Sequence, residues 1–145
     1  NSLDNWEVYL DGKETARIKK NLSYMSEKEK FETILTAAKI LSNCPNPNSN
    51  GGRKTGLAIG KIQSGKTSNF ISLMSLAFDN NYNIIVVFGG TKNNLLLQTE
   101  DRIKKMFDID NNKRDDRDVV VLSTTNKFDS INKVEIDKFI TNKKD

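Results

Sequence analysis

Residues Gly60-Lys61-Ile62-Gln63-Ser64-Gly65-Lys66-Thr67 spell G-x-x-x-x-G-K-T, the spacing of a phosphate-binding loop. The glycines are needed because backbone N–H groups must wrap a phosphate closely, and a Cβ would stand in the way. Lys66 supplies positive charge for the β- and γ-phosphates, and the Thr67 hydroxyl is placed to ligate magnesium. The flanks agree with the motif. Gly56-Leu57-Ala58-Ile59 reads as a short buried strand, and Ser68 to Asp79 reads as a helix. The nucleotide-binding set expected is Gly60, Gln63, Ser64, Gly65, Lys66, Thr67 and Ser68. Lys66 is the catalytic residue, and ATP and magnesium are the cofactors.

Working outward, strand and helix patterns alternate. The helix after the loop carries Phe70, Ile71, Leu73, Met74, Leu76, Ala77 and Phe78, apolar over most of its surface, so it is expected between layers. Ile84-Ile85-Val86-Val87-Phe88 is a continuous run of the kind found in strands covered on both faces. Gly89-Gly90-Thr91 follows, then a helix from about Asn93 to Phe107. Asp108 to Asp118 is a charged connection, Val119–Ser123 a third strand, and Lys133–Ile140 a short helix. The expected architecture is α/β, a parallel sheet flanked by helices forming a phosphate-loop NTPase core over residues 51–145.

Residues 1–50 read as a helical extension and loop. Ser26 and Glu29 make a capping box ahead of the apolar series Phe31, Ile34, Leu35, Ala38, Leu41. Trp6, Tyr9 and Leu10 are expected to anchor an earlier helix. Residues 43–56 are dense in turn formers and read as a loop.

Composition narrows the chemistry. The 145 residues contain no histidine, which excludes a Ser-His-Asp triad, a Cys-His pair and a histidine-ligated zinc within this chain. Cys44 is the sole cysteine, so there is no intrachain disulfide, and a reduced, cytoplasmic setting is expected. The net charge of +4 is compatible with nucleic acid without demanding it. No apolar run approaches the roughly 20 residues of a membrane helix, so no membrane partner is expected. The chain begins without Met, as a piece of a longer polypeptide would.

Hydrolysis of a nucleotide needs a carboxylate at the end of a second strand, to hold magnesium and orient water. Phe88 runs into Gly89-Gly90-Thr91 and Leu122 into Ser123-Thr124-Thr125, and neither delivers one. Asp129 follows several residues later. The acid is expected beyond residue 145, on the remainder of the polypeptide.

The stretch Arg53 to Thr67 resembles the amino-terminal helicase-like domain of the Z-one domain family, endonuclease/ATPase proteins associated with bacterial restriction and phage defence. Gln63 to Thr67 match the family's Gln-Ser-Gly-Lys-Thr loop, and Ala77, Asp79 and Tyr82 match the end of its next helix. Gly90, Asn93, Asn94, Leu95, Gln98, Thr99 and Arg102 match the motif that follows. The resemblance covers about residues 53–103. It implies a RecA-like ATPase core of the superfamily-two helicase type, with Thr91, Lys92 and Asn93 against nucleic-acid backbone, DNA as the partner, and the remaining domains of the same polypeptide beside it. Two other readings stay open: a phosphate-loop kinase for a nucleotide or small molecule, and a non-hydrolysing nucleotide- or DNA-binding interaction module.

Overall fold

A computed structural model of the chain describes residues 5–59, 66–89, 92–110 and 113–123, with isolated positions 137, 140 and 141. The elements among the described residues are the helices α1 (Lys13–Asn21), α2 (Glu27–Ser42), α3 (Lys66–Asp79) and α4 (Asn93–Met106). The chain divides into two compact units, Asn1–Val86 with α1 to α3 and Val87–Asp145 with α4.

Helix α3 is the spine of the first unit and packs against both α1 and α2. Ile71, Leu76 and Ala77 are buried, and so are Ser72 and Ser75, whose small side chains let neighbouring backbones come close. The Ser75 hydroxyl donates back to the Ser72 carbonyl at 2.7 Å, which satisfies it without a distant partner. Ile34, Ala37 and Leu41 of α2 close on Leu76 and Ala77, with Trp6, Val8, Leu10 and Tyr82 around them. Among the described residues, it is two helices that cover the apolar spine.

The start of α2 is set locally. Glu29 N–H donates to Ser26 Oγ at 3.2 Å, and Ser26 N–H donates to Glu29 Oε2 at 2.7 Å. This is the expected capping box, and the backbone hydrogen bond from Ser26, with its side-chain bond second, holds the Glu29 carboxyl below its ordinary range. The apolar series behind it is buried at Ile34 and Leu41, with Ala37 joining them, whereas Phe31 stays exposed at the first turns.

Helix α1 is set from a distance. Its N-cap is Gly12, which has no side chain to cap with. The Asp79 carboxylate at the end of α3 does that work, accepting from Glu14 N–H at 3.0 Å and Thr15 N–H at 2.8 Å. Glycine is required at 12 because a Cβ there would overlap the Asp79 side chain. Gly12→Ala is therefore expected to destabilise the first unit by about 1–3 kcal/mol, through displacement of the cap. Urea unfolding followed by circular dichroism measures it. An unchanged midpoint would mean that Asp79 can cap from another position.

These contacts fix helix directions. The start of α1 meets the end of α3, so the two run antiparallel. At the start of α3, Ser68 bonds Tyr24 just ahead of α2. At its end, Tyr82 donates to the Pro45 carbonyl just past α2. Helices α2 and α3 therefore run side by side in the same direction, and the connection after Asn43 must travel back about 24 Å, the length of α2. Asn81 closes α3 with a positive φ of 73°, and Tyr82 N–H reaches back to the Ala77 carbonyl at 2.9 Å. Asparagine tolerates that left-handed conformation better than other residues with a Cβ.

In the second unit, Ile103 and Phe107 are buried apolar residues of and beside α4, and Asp108 is buried next to them. The helix is laced by Lys104–Glu100 and Lys105–Asp101 pairs, each at 2.9 Å, and closed by Asp108 at φ 56° with Ile109 N–H on the Lys104 carbonyl. The hydrogen bond that Lys104 donates to the Glu100 carboxylate holds its ammonium above the ordinary pKa. Arg114 folds back to donate to the Phe107 carbonyl at 3.2 Å and to Asp116 at 2.8 Å.

The expected α/β architecture is corrected. Among the described residues there is no strand, and residues 57–59, 84–88 and 119–122 form no ladder. A RecA-like parallel sheet is therefore not the fold that the described residues adopt. The physical reason lies in what a parallel strand needs: backbone partners on its edges and helices on both faces. Here α1 and α2 cover α3, and the apolar runs are left open, with Leu57 85%, Ile84 81% and Phe88 94% exposed. A β-branched composition supplies no hydrogen-bond partner by itself.

The expected amino-terminal helix over Trp6, Tyr9 and Leu10 is also corrected. Residues 5–12 are extended, with Trp6, Val8 and Leu10 facing inward and Glu7, Tyr9 and Asp11 outward. Trp6 Nε1 donates to the Cys44 carbonyl at 2.9 Å. Asn80 serves the backbone of this segment as a neighbouring strand would, accepting from Tyr9 N–H at 2.8 Å and donating to the Tyr9 carbonyl at 2.9 Å. The expected helix at 133–140 lies outside the described residues apart from Asp137 and Ile140.

Candidate functional site

The helix expected from Ser68 begins two residues earlier, at Lys66, so Gly65-Lys66-Thr67 runs directly into the first turn of α3. Gly60 to Gly65 lie outside the described residues, as do Gly90 and Thr91. Thr67 is half-buried and Ser68 is buried, and Ser68 Oγ lies 2.6 Å from the Tyr24 hydroxyl.

The first turn of any helix holds N–H groups with no intrahelical acceptor and carries about half a positive charge. Helices α1 and α2 answer that field with acids, Glu14 in one and Glu27 and Glu29 in the other. Helix α3 has no acid in its first turn, and its first residue is a lysine. That places like sign on like sign, a disfavoured arrangement unless an anion joins it. The donor chemistry of this turn fits a phosphate, and Thr67 offers the hydroxyl that a phosphate-bound magnesium takes. Among the described residues, no group of three or more Asp, Glu or Cys is placed to hold a metal ion on its own.

Helix α4 starts in the same manner. Lys92 is its N-cap without a side-chain capping bond, and no acid lies in its first turn. Lys92, Asn93 and Asn94 are exposed. The asparagines follow the cap and do not form it. Further along, Gln98, Asp101, Arg102, Lys105 and Met106 line a groove of about 310 Å³. Gln98 and Arg102, two of the residues carrying the family resemblance, thus share one face of α4.

Others of those residues have structural work. Ala77 is in the core, Asp79 caps α1, and the Tyr82 hydroxyl donates to the Pro45 carbonyl. Burial, with a smaller contribution from Cys44, raises the Tyr82 pKa. Sequence reasoning missed Tyr24 beside Ser68, because a turn residue 44 positions upstream carries no local signal of that contact. Asp129, the nearest acid considered for hydrolysis, lies outside the described residues.

No family model matches this chain, and neither a curated protein nor a solved structure matches it. No helix among the described residues is long and apolar enough to cross a membrane.

Proposed function

We propose that this chain binds ATP with magnesium through Gly60, Gln63, Ser64, Gly65, Lys66, Thr67 and Ser68, as the nucleotide-binding part of a cytoplasmic, DNA-acting helicase-like ATPase or endonuclease of the Z-one type. The observation that carries the reading is the glycine motif running into a helix whose first turn has a lysine and no acid. The motif's backbone N–H groups would hold the phosphates, and Lys66 would neutralise the terminal ones. Bound magnesium would supply charge on the phosphate oxygens, with Thr67 as its ligand from this chain. Lys92 and Asn93, exposed at the start of α4, are the residues offered to DNA backbone, together with Thr91.

One observation favours binding without turnover by this chain alone. Neither Phe88 nor Leu122 is followed by an acid to orient water. The test is calorimetric. Wild-type protein should bind ATP saturably, and Thr67→Ala should weaken binding about tenfold with magnesium and little in EDTA. Absence of saturable ATP binding by the wild type would refute the assignment, as would a Thr67→Ala defect of equal size without magnesium.

A further inference from the structure

We infer that Tyr24 is a positioning residue for the nucleotide site, acting through Ser68. The inference rests on the nucleotide-binding reading above and adds to it a residue outside the loop. Tyr24 belongs to the turn between α1 and α2, and that turn is held on both sides. Leu22 is fully buried, Met25 N–H donates to its carbonyl at 3.0 Å, and Ser26 is locked into the capping box. The Tyr24 ring is 71% exposed, so it contributes little to the core, yet its hydroxyl lies 2.6 Å from Ser68 Oγ. Ser68 in turn is only 7% exposed.

The contact sits where α3 has least support of its own. Helix ends fray, because their first N–H groups lack intrahelical acceptors. A tie from a fixed turn to the third residue of α3 restrains the N–H groups that a phosphate would take, so less ordering remains to be done when the ligand binds. The far end of α3 is already held by Asp79 on α1 and by Tyr82 on the Pro45 carbonyl. The Tyr24–Ser68 bond gives the near end its own attachment to the turn between α1 and α2.

The test is a double-mutant cycle read on ATP affinity with magnesium. Tyr24→Phe keeps the ring and removes the hydroxyl, and Ser68→Ala removes its partner. Tyr24→Phe is expected to weaken ATP about fivefold in the wild-type background and to change nothing further in the Ser68→Ala background, because Tyr24 acts only through the Ser68 hydroxyl. Thermal melting run in parallel separates this from a structural role, which would lower the melting temperature and leave affinity unchanged. If wild type binds ATP and Tyr24→Phe binds within twofold of it, this inference fails and the nucleotide assignment stands. Additive losses in the double variant would also overturn it, since Tyr24 would then act independently of Ser68. If wild type binds no ATP, both readings fall together.

Discussion

Lys66→Ala is expected to weaken ATP binding about a hundredfold. Lys66 holds the motif's fixed lysine position, Lys61 standing at a variable one, and charge-assisted hydrogen bonds to phosphate are worth about 1.5–3 kcal/mol each. Losing it leaves the backbone N–H groups and the helix field of α3, which still favour an anion by roughly 0.3–1 kcal/mol. Residual weak binding is therefore part of the expectation. Titration of ATP into wild type and variant measures the ratio, and inorganic tripolyphosphate should show a similar loss, because the lysine acts on phosphate and not on the base. Equal affinities would remove Lys66 from the site. The variant also serves as the control for turnover. The 145-residue chain should hydrolyse ATP no faster than Lys66→Ala, and turnover clearly above that control would show that an acid such as Asp129 serves the site after all.

Leu76→Ala is expected to destabilise the first unit by about 2–5 kcal/mol. Leu76 is fully buried, at the centre of the contact among α2, α3 and the extended amino-terminal segment. Its loss removes transfer energy and leaves a cavity in a small core that has few other residues to collapse into it. Domains of this size are stable by only about 5–15 kcal/mol, so the change takes a large fraction of the total. Denaturant unfolding monitored at Trp6, which packs on the same cluster, reports it directly. Leu57→Ala is the contrasting change, because that side chain is 85% exposed and its loss should be nearly neutral. A large effect at Leu57, or none at Leu76, would place the core elsewhere.

That contrast marks where sequence and structure part. Leu57 and Leu76 are the same residue type in apolar runs, and their patterns alike predict burial. The helical run stayed inside because α1 and α2 were available to cover it. The runs at 57–59 and 84–88 form no ladder, and Leu57, Ile59, Ile84, Val86 and Phe88 face outward, with Ile85 alone of the second run packed on the core. At 6–10 the inward–outward alternation of Trp6, Val8 and Leu10 was present in the sequence. Trp6, Tyr9 and Leu10, three and four residues apart, suit a helical period equally well, so local pattern alone does not choose between the two.

The sequence by itself placed α2 behind its capping box, α3 to within two residues of its start, and α4 to within one residue of its end. The Ser26–Glu29 box, the start of α3 at the end of the glycine motif, and the span of α4 all rest on hydrogen bonds between residues three or four apart, so local composition is enough. It also determined the phosphate-loop spacing and the absence of histidine chemistry. Only the tertiary structure decided that α1 starts at Lys13 under a cap from Asp79, that Tyr24 meets Ser68, and that the apolar runs make no sheet. Each of these depends on a partner tens of residues away, and a ladder, a cap in trans or a turn-to-helix bond exists only once packing has brought both ends together.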